Sequence, residues 1–131
     1  MARKNHAGAV MNGMVYVCGG QYCVSKRQVE RYNEQRNEWE RVKDMLEERS
    51  WFATAVLNNM LYACGGVENK RSVERYNADT NKWEKITDML FGRYMLAAVV
   101  LNSKLYVCGG AGDGGILCSV ERFDEEKNEW E

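Results

Sequence analysis

Five cysteines, one histidine and three regularly spaced arginines are the side chains of this 131-residue sequence whose types could do chemistry. Cys18, Cys64 and Cys108 each precede a double glycine, in Tyr16-Val17-Cys18-Gly19-Gly20, Tyr62-Ala63-Cys64-Gly65-Gly66 and Tyr106-Val107-Cys108-Gly109-Gly110. A thiol that returns in one slot beside apolar neighbours reads as a small buried hydrophobe, not a nucleophile. Cys23 and Cys118 stand where the copies differ, so an exposed thiol there could sense oxidants. A low-pKa thiol needs a positive field, and no basic cluster beyond Lys26-Arg27 is evident. Cys18 and Cys23 form no Cys-x-x-Cys knuckle, and His6 alone cannot complete a zinc set. There is no Gly-x-Ser-x-Gly elbow, phosphate loop or zinc-helix motif. The carboxylates fall mostly at positions shared between copies, where a structural task suffices. These residues predict no enzyme, no metal site and no cofactor.

The elements that must hold these residues are repeated. Steps of 46 and 44 residues separate the three double glycines. Each pair is followed by a second echo, Val29-Glu30-Arg31-Tyr32, Val73-Glu74-Arg75-Tyr76 and Val120-Glu121-Arg122-Phe123, and by a third, Trp39-Glu40, Trp83-Glu84 and Trp130-Glu131. Arg3, Arg49 and Arg93 each stand 16 residues before the first glycine of a pair. The units therefore run over about 3–48, 49–92 and 93–131 within one domain, 1–131. Self-similarity at this period marks a repeat architecture.

Each unit predicts four short strands. In the middle copy, Phe52–Leu57 and Met60–Cys64 flank the turn Asn58-Asn59, followed by Ser72–Tyr76, a polar turn and Lys82–Ile86. Asn12-Gly13 in the first copy is the strongest short hairpin signal in the chain. Four strands per unit of this length is the pattern of a propeller blade. The glycines let a strand end turn sharply, with the repeated Trp and Tyr expected as the large neighbours packed on their backbone. The pairs Glu30-Arg31, Glu74-Arg75 and Glu121-Arg122 are expected to tie strands or blades together. Proline is absent, so Gly, Asn and Asp must make the turns.

Bulk composition narrows the partners. The net charge is −1 and no long Lys/Arg run occurs, which predicts no nucleic-acid and no membrane-surface partner. Tyr94 to Leu101, the longest apolar stretch, is too short to span a bilayer. The opening segment aligns with the openings of the next two units, so it reads as mature structure and not as a signal peptide. An odd cysteine count with three repeated thiols does not look like a disulfide framework. A cytoplasmic location is the expectation.

An opening Arg, an aliphatic strand, an Asn-rich turn, Tyr-x-x-Gly-Gly, Val-Glu-Arg-Tyr, Asn/Asp-x-x-x-Asn and Trp-Glu together resemble the kelch motif, across essentially the whole chain. Val-Glu-Arg-Tyr and the endings Asp44-Met45 and Asp88-Met89 look most like kelch-like proteins of animals and poxviruses. The resemblance implies an all-β chain of three four-stranded kelch-type propeller blades, an incomplete propeller. It implies a protein-interaction module, with substrate recognition for a cullin-RING ubiquitin ligase first and an actin-associated cytoskeletal scaffold as the alternative. The BTB and BACK domains of such adaptors are absent from this sequence. It further implies that the divergent loops after each Gly-Gly share one face with the segments leading into the innermost strands, and that this face receives a protein or peptide, with an acidic motif in view. Arg3, Arg49 and Arg93 match a position that some kelch adaptors use to hold acidic peptides. Their guanidinium forks suit carboxylates, although capping of nearby backbone carbonyls explains a recurring arginine equally well. Ser50, Trp51, Tyr94 and Tyr22 are the expected co-contacts. Propellers close with four to eight blades, so three blades predict either part of a longer ring, the favoured expectation, or a homodimer completing a six-bladed ring.

Overall fold

The computed structural model describes residues 2–22 and 25–131; Cys23, read above as a candidate exposed thiol, lies outside them. The first unit is an antiparallel sheet of β1 (Ala7–Met11), β2 (Met14–Cys18), β3 (Val29–Asn33) and β4 (Glu38–Arg41), in that spatial order. The second repeats it with β5 (Ala53–Leu57), β6 (Met60–Cys64), β7 (Val73–Asn77) and β8 (Lys82–Lys85). The third comprises β9 (Ala97–Leu101), β10 (Lys104–Cys108), β13 (Val120–Asp124) and β14 (Glu129–Trp130). Its divergent loop adds a small hairpin, β11 (Ala111–Gly112) and β12 (Gly115–Ile116), which the repeat pattern does not predict because the other copies lack it. The chain is thus all-β among the described residues, with three four-stranded blades and no closed ring.

Turn chemistry explains the strand ends. The first hairpin of each blade has two consecutive left-handed residues, Asn12-Gly13, Asn58-Asn59 and Asn102-Ser103, with φ between 48° and 71°. That geometry matches the right-handed twist of the paired strands and favours Asn and Gly. The turn between the third and fourth strands places Asn37, Asn81 and Asn128 at φ 52–53°. Asn77 and Asp124 accept backbone N–H groups within this turn, while Asn81 accepts the Tyr76 hydroxyl at 2.8 Å. Asparagine and aspartate therefore do the work that proline does elsewhere.

Apolar side chains are buried between blades. Met11, Tyr16, Cys18 and Val29 of the first sheet meet Phe52, Leu61, Ala63, Tyr76 and Trp83 of the second. Ala55, Leu57, Tyr62, Cys64 and Val73 of the second meet Leu105, Val107, Phe123 and Trp130 of the third. Alternation along β6 makes this possible: Leu61 and Ala63 face one neighbour, Tyr62 and Cys64 the other. Each large side chain so buried contributes on the order of 1.5–3 kcal/mol, so a blade is stabilised mainly by the blades beside it. Met45 and Met89, from the segments linking blades, complete the two clusters.

The glycine neighbours differ from expectation. Gly20 and Gly66 donate their N–H groups to the carbonyls of Arg49 and Arg93, both at 2.9 Å. A Cβ on Gly65 would lie 2.3 Å from the Arg93 oxygen. The double glycine is therefore a seat for the backbone of the following blade, with Phe52 and Met89 as its side-chain neighbours. The tryptophans instead stack on the aromatic residue of the preceding strand, Tyr76 with Trp83 at 5.2 Å and Phe123 with Trp130 at 5.1 Å. Their indole N–H groups donate to the carbonyls of Lys43 and Thr87 in the linking segments.

Candidate functional site

Antiparallel order sorts the connections to opposite ends of the blades. The tight hairpin turns, and the turns between third and fourth strands, lie at one end. The loops after the double glycines and the segments leading into β1, β5 and β9 lie at the other. Backbone pairing joins these two groups directly: Lys4 with Gln21, the Val67 N–H with the Ser50 carbonyl at 3.0 Å, and Tyr94 with Ala111. This loop end carries the side chains that vary between blades, and it is the candidate site.

The three arginines belong to the framework. Arg49 and Arg93 are fully buried, and the Arg3 side chain is only 5% exposed. Arg49 uses all five guanidinium N–H groups: Nε and Nη2 donate to Glu74, Nη1 to the carbonyls of Gly65 and Ser72, and Nη2 also to the Ser72 hydroxyl, at 2.7–3.2 Å. Arg93 repeats the set on Glu121, Gly109 and Ser119. Arg3 donates to the Gly19 carbonyl and to Glu30. Reading these arginines as a grip for an external acidic peptide is therefore corrected: the carboxylate they hold is internal. Glu74 and Glu121 also accept the N–H groups of Leu46 and Glu47, and of Leu90 and Phe91. Each glutamate so captures the segment linking its blade to the one before.

Ser50 is corrected as well. It is buried, and its N–H and hydroxyl both donate to Glu68, at 2.9 and 2.7 Å. Tyr22 is 75% and Trp51 39% exposed, and Tyr94 is half-buried; these three stand on the loop end. Sequence reasoning singled out Trp51 but missed the row it belongs to. Asn5, Trp51 and Met95 occupy one slot in the three units, all with left-handed backbone at φ 57–58°. The Trp51 N–H donates to the Asn5 carbonyl at 2.9 Å, and the Met95 N–H to the Trp51 carbonyl at 2.7 Å. Alignment of the repeats could have found the slot, since its residue type changes while its neighbours stay alike. A non-glycine residue in this region costs roughly 1 kcal/mol and persists only where surroundings impose it. Here the hydrogen-bonded row imposes it and leaves Trp51 and Met95 turned to solvent.

Two of the lysines at this end are ion-paired and two lie near aromatic rings. Lys4 lies over the Tyr22 ring at 4.8 Å, Lys26 pairs with Glu68 at 2.8 Å, and Lys70 pairs with Asp113 and lies 5.8 Å from the Tyr94 ring. Burial pushes the Glu68 carboxyl up, but hydrogen bonds from Lys26 and Ser50 outweigh it and hold the group below the ordinary carboxylate range. Burial pushes the Cys18 and Cys64 thiols up to about 12, which makes them inert. Among the described residues no group of three or more His, Cys, Asp or Glu could hold a metal ion. What remains available is apolar and aromatic: Tyr22, Trp51, Met95 and Ile116, the last 93% exposed.

The kelch motif matches residues 2–46, 49–90 and 92–131 of this chain. No curated protein matches it. A solved structure titled "Structure of YjhT" superposes with a TM-score of 0.87 at 20% sequence identity, over 100% of this chain and 51% of that one. The chain thus spans about half the length of that structure, and the likeness is one of fold.

Proposed function

Because the chain belongs to the kelch-repeat family, whose propellers serve protein interaction, we propose that it is a binding module and not an enzyme, and that its loop end recognises a partner protein through an apolar anchor. The observation that carries this reading is the row Asn5, Trp51 and Met95. Its backbone is fixed by inter-blade hydrogen bonds while large apolar side chains stay exposed. Rigid exposed aromatics are the usual anchors of protein recognition. Acidic character in the ligand is a secondary feature, since Lys26 and Lys70 are already paired with Glu68 and Asp113. By likeness to kelch-like adaptors, the captured protein is a client delivered to a cullin-RING ligase in the cytoplasm. The cytoskeletal scaffold is the competing role.

Affinity purification with and without proteasome inhibition separates the two. A client that accumulates under inhibition together with a cullin supports delivery to a ligase, whereas co-sedimentation with actin filaments supports the scaffold. Trp51→Ala and Met95→Ala are expected to abolish capture while leaving the near-UV circular dichroism of the blades largely intact. Capture that survives both substitutions refutes the loop end as the site.

A further inference from the structure

At the turn end, opposite the loop end, the two joints between blades are built alike with one exception. Between second and third blades, the Glu125 carboxylate is held by side chains of the blade before it. Asn58 and the Tyr62 hydroxyl donate to it, and the Arg75 guanidinium lies 3.7 Å away. Asn12, Tyr16 and Arg31 are the same residues one unit earlier, at the joint between first and second blades. Their geometry repeats as well. Tyr16 meets Tyr76 at 6.0 Å and 58°, as Tyr62 meets Phe123 at 6.1 Å and 60°. Arg31 donates to Glu40 and to the Tyr16 hydroxyl, as Arg75 donates to Glu84 and to the Tyr62 hydroxyl. What differs is the acid: Ala78 stands where the third blade has Glu125.

The first joint is therefore a carboxylate receptor without its carboxylate. The Tyr16 hydroxyl accepts from Arg31 at 3.4 Å, and among the described residues nothing accepts its own proton. The residue is only 1% exposed, and a buried donor left unpaired is costly. Ala78 ends at its Cβ and packs on the apolar cluster of this joint. The atoms by which glutamate exceeds alanine, a methylene and a carboxylate, amount to an acetate ion. Asn12 is exposed and the Arg31 side chain is 27% exposed, so a group from solvent reaches the hydroxyl by way of these two. Each joint has both of its blades within the described residues.

We propose that the turn end of this joint is a second binding site, and that it takes the carboxylate of a glutamate side chain presented by a partner protein. That carboxylate occupies the position Glu125 fills at the next joint, accepting from the Asn12 amide and the Tyr16 hydroxyl with Arg31 beside it. Arg31 need not leave Glu40, since Arg75 keeps Glu84 while standing next to Glu125. Size favours a polypeptide over a free organic acid. An acetate-sized seat gives a small ligand too few atoms to bind tightly alone, whereas a glutamate arrives with the rest of an interface.

Nuclear magnetic resonance of the isotope-labelled chain tests the seat with two probes: acetate, and a capped Gly-Glu-Gly peptide beside its Gly-Gln-Gly control. Acetate and the glutamate peptide should both shift the Asn12 side-chain amide, the peptide saturating at the lower concentration. The glutamine peptide should bind at least about tenfold more weakly, and Tyr16→Phe, which keeps the ring, should weaken both acids about tenfold. Ala78→Glu should supply the carboxylate from within, raise the unfolding midpoint and abolish the response to both acids. No saturable shift by either acid up to about 100 mM would overturn the proposal. So would equal binding of the two peptides, or binding indifferent to Tyr16→Phe. Saturation by acetate but not by the glutamate peptide would overturn the protein source and assign the seat to free acids.

Discussion

Replacing Arg49 by methionine separates the two roles an opening arginine could play. In the structure the guanidinium is fully buried and its partner Glu74 equally so, with side-chain exposures of 0% and 0%. Arg49→Met keeps the apolar stem and removes five donated hydrogen bonds. Glu74 then keeps only the N–H groups of Leu46 and Glu47, and the Gly65 and Ser72 carbonyls each lose a donor. Leaving one member of a buried ion pair uncompensated costs about 3–5 kcal/mol. Against a total stability of about 5–15 kcal/mol for a domain, that removes a large part of the folding margin and lowers the unfolding midpoint strongly. Urea denaturation followed by near-UV circular dichroism reads the loss directly. The double substitution Arg49→Met with Glu74→Gln should recover part of it, since the buried charge is gone and the glutamine oxygen still accepts from the linking segment. A single variant with an unchanged unfolding midpoint would refute the framework role and return Arg49 to the list of ligand contacts.

Three further outcomes are expected. Gly65→Ala, with φ +69° and the Arg93 oxygen 2.3 Å from the new Cβ, should cost at least about 2 kcal/mol in a thermal or urea melt, whereas Gly114→Ala, with no atom within 4 Å, should stay within about 0.5 kcal/mol. Glu68 has a folded pKa below its unfolded value near 4.5, so its stabilising contribution is complete above that pH and fades as the pH falls through the folded value; the melting difference between the parent chain and Glu68→Gln should shrink towards zero on progressive acidification below the unfolded value. Ellman's reagent at pH 8 should label exposed Cys118 quickly and buried Cys18 and Cys64 more than about a hundredfold more slowly, the three rates converging in urea.

Local chemistry made the blades readable. Asn12-Gly13 and Asn58-Asn59 fix two hairpins, and the double glycines and Val-Glu-Arg-Tyr echoes mark the strands that follow. What crosses between blades was much less visible. An arginine at position 49 shows no sign in the sequence that its partner is Glu74, beyond a loop and two strands. The Gly-Gly pair discloses that something approaches closely, but not that it is the carbonyl of the following unit. Exposure was hidden for the same reason. Trp39, Trp83 and Trp130 are written alike, and only the position of their blades in the stack makes one bare and two buried. The hairpin β11–β12 escaped because a single divergent loop gives the repeat comparison nothing to align.

The left-handed row at Asn5, Trp51 and Met95 has a bearing on how such a surface can change over generations. Its conformation is enforced by main-chain hydrogen bonds that every amino acid except proline can make. Asparagine, tryptophan and methionine already occupy the same slot in one chain, so the scaffold accepts a polar, an aromatic and a flexible apolar residue there without altering its architecture. Selection can therefore sample unbranched side chains at these positions with little effect on the architecture, whereas β-branched residues meet the added strain of the left-handed backbone. Directed evolution has the same freedom: varying the three sites, proline and the β-branched residues aside, offers a small library in which new specificities arise at little risk to the blades beneath.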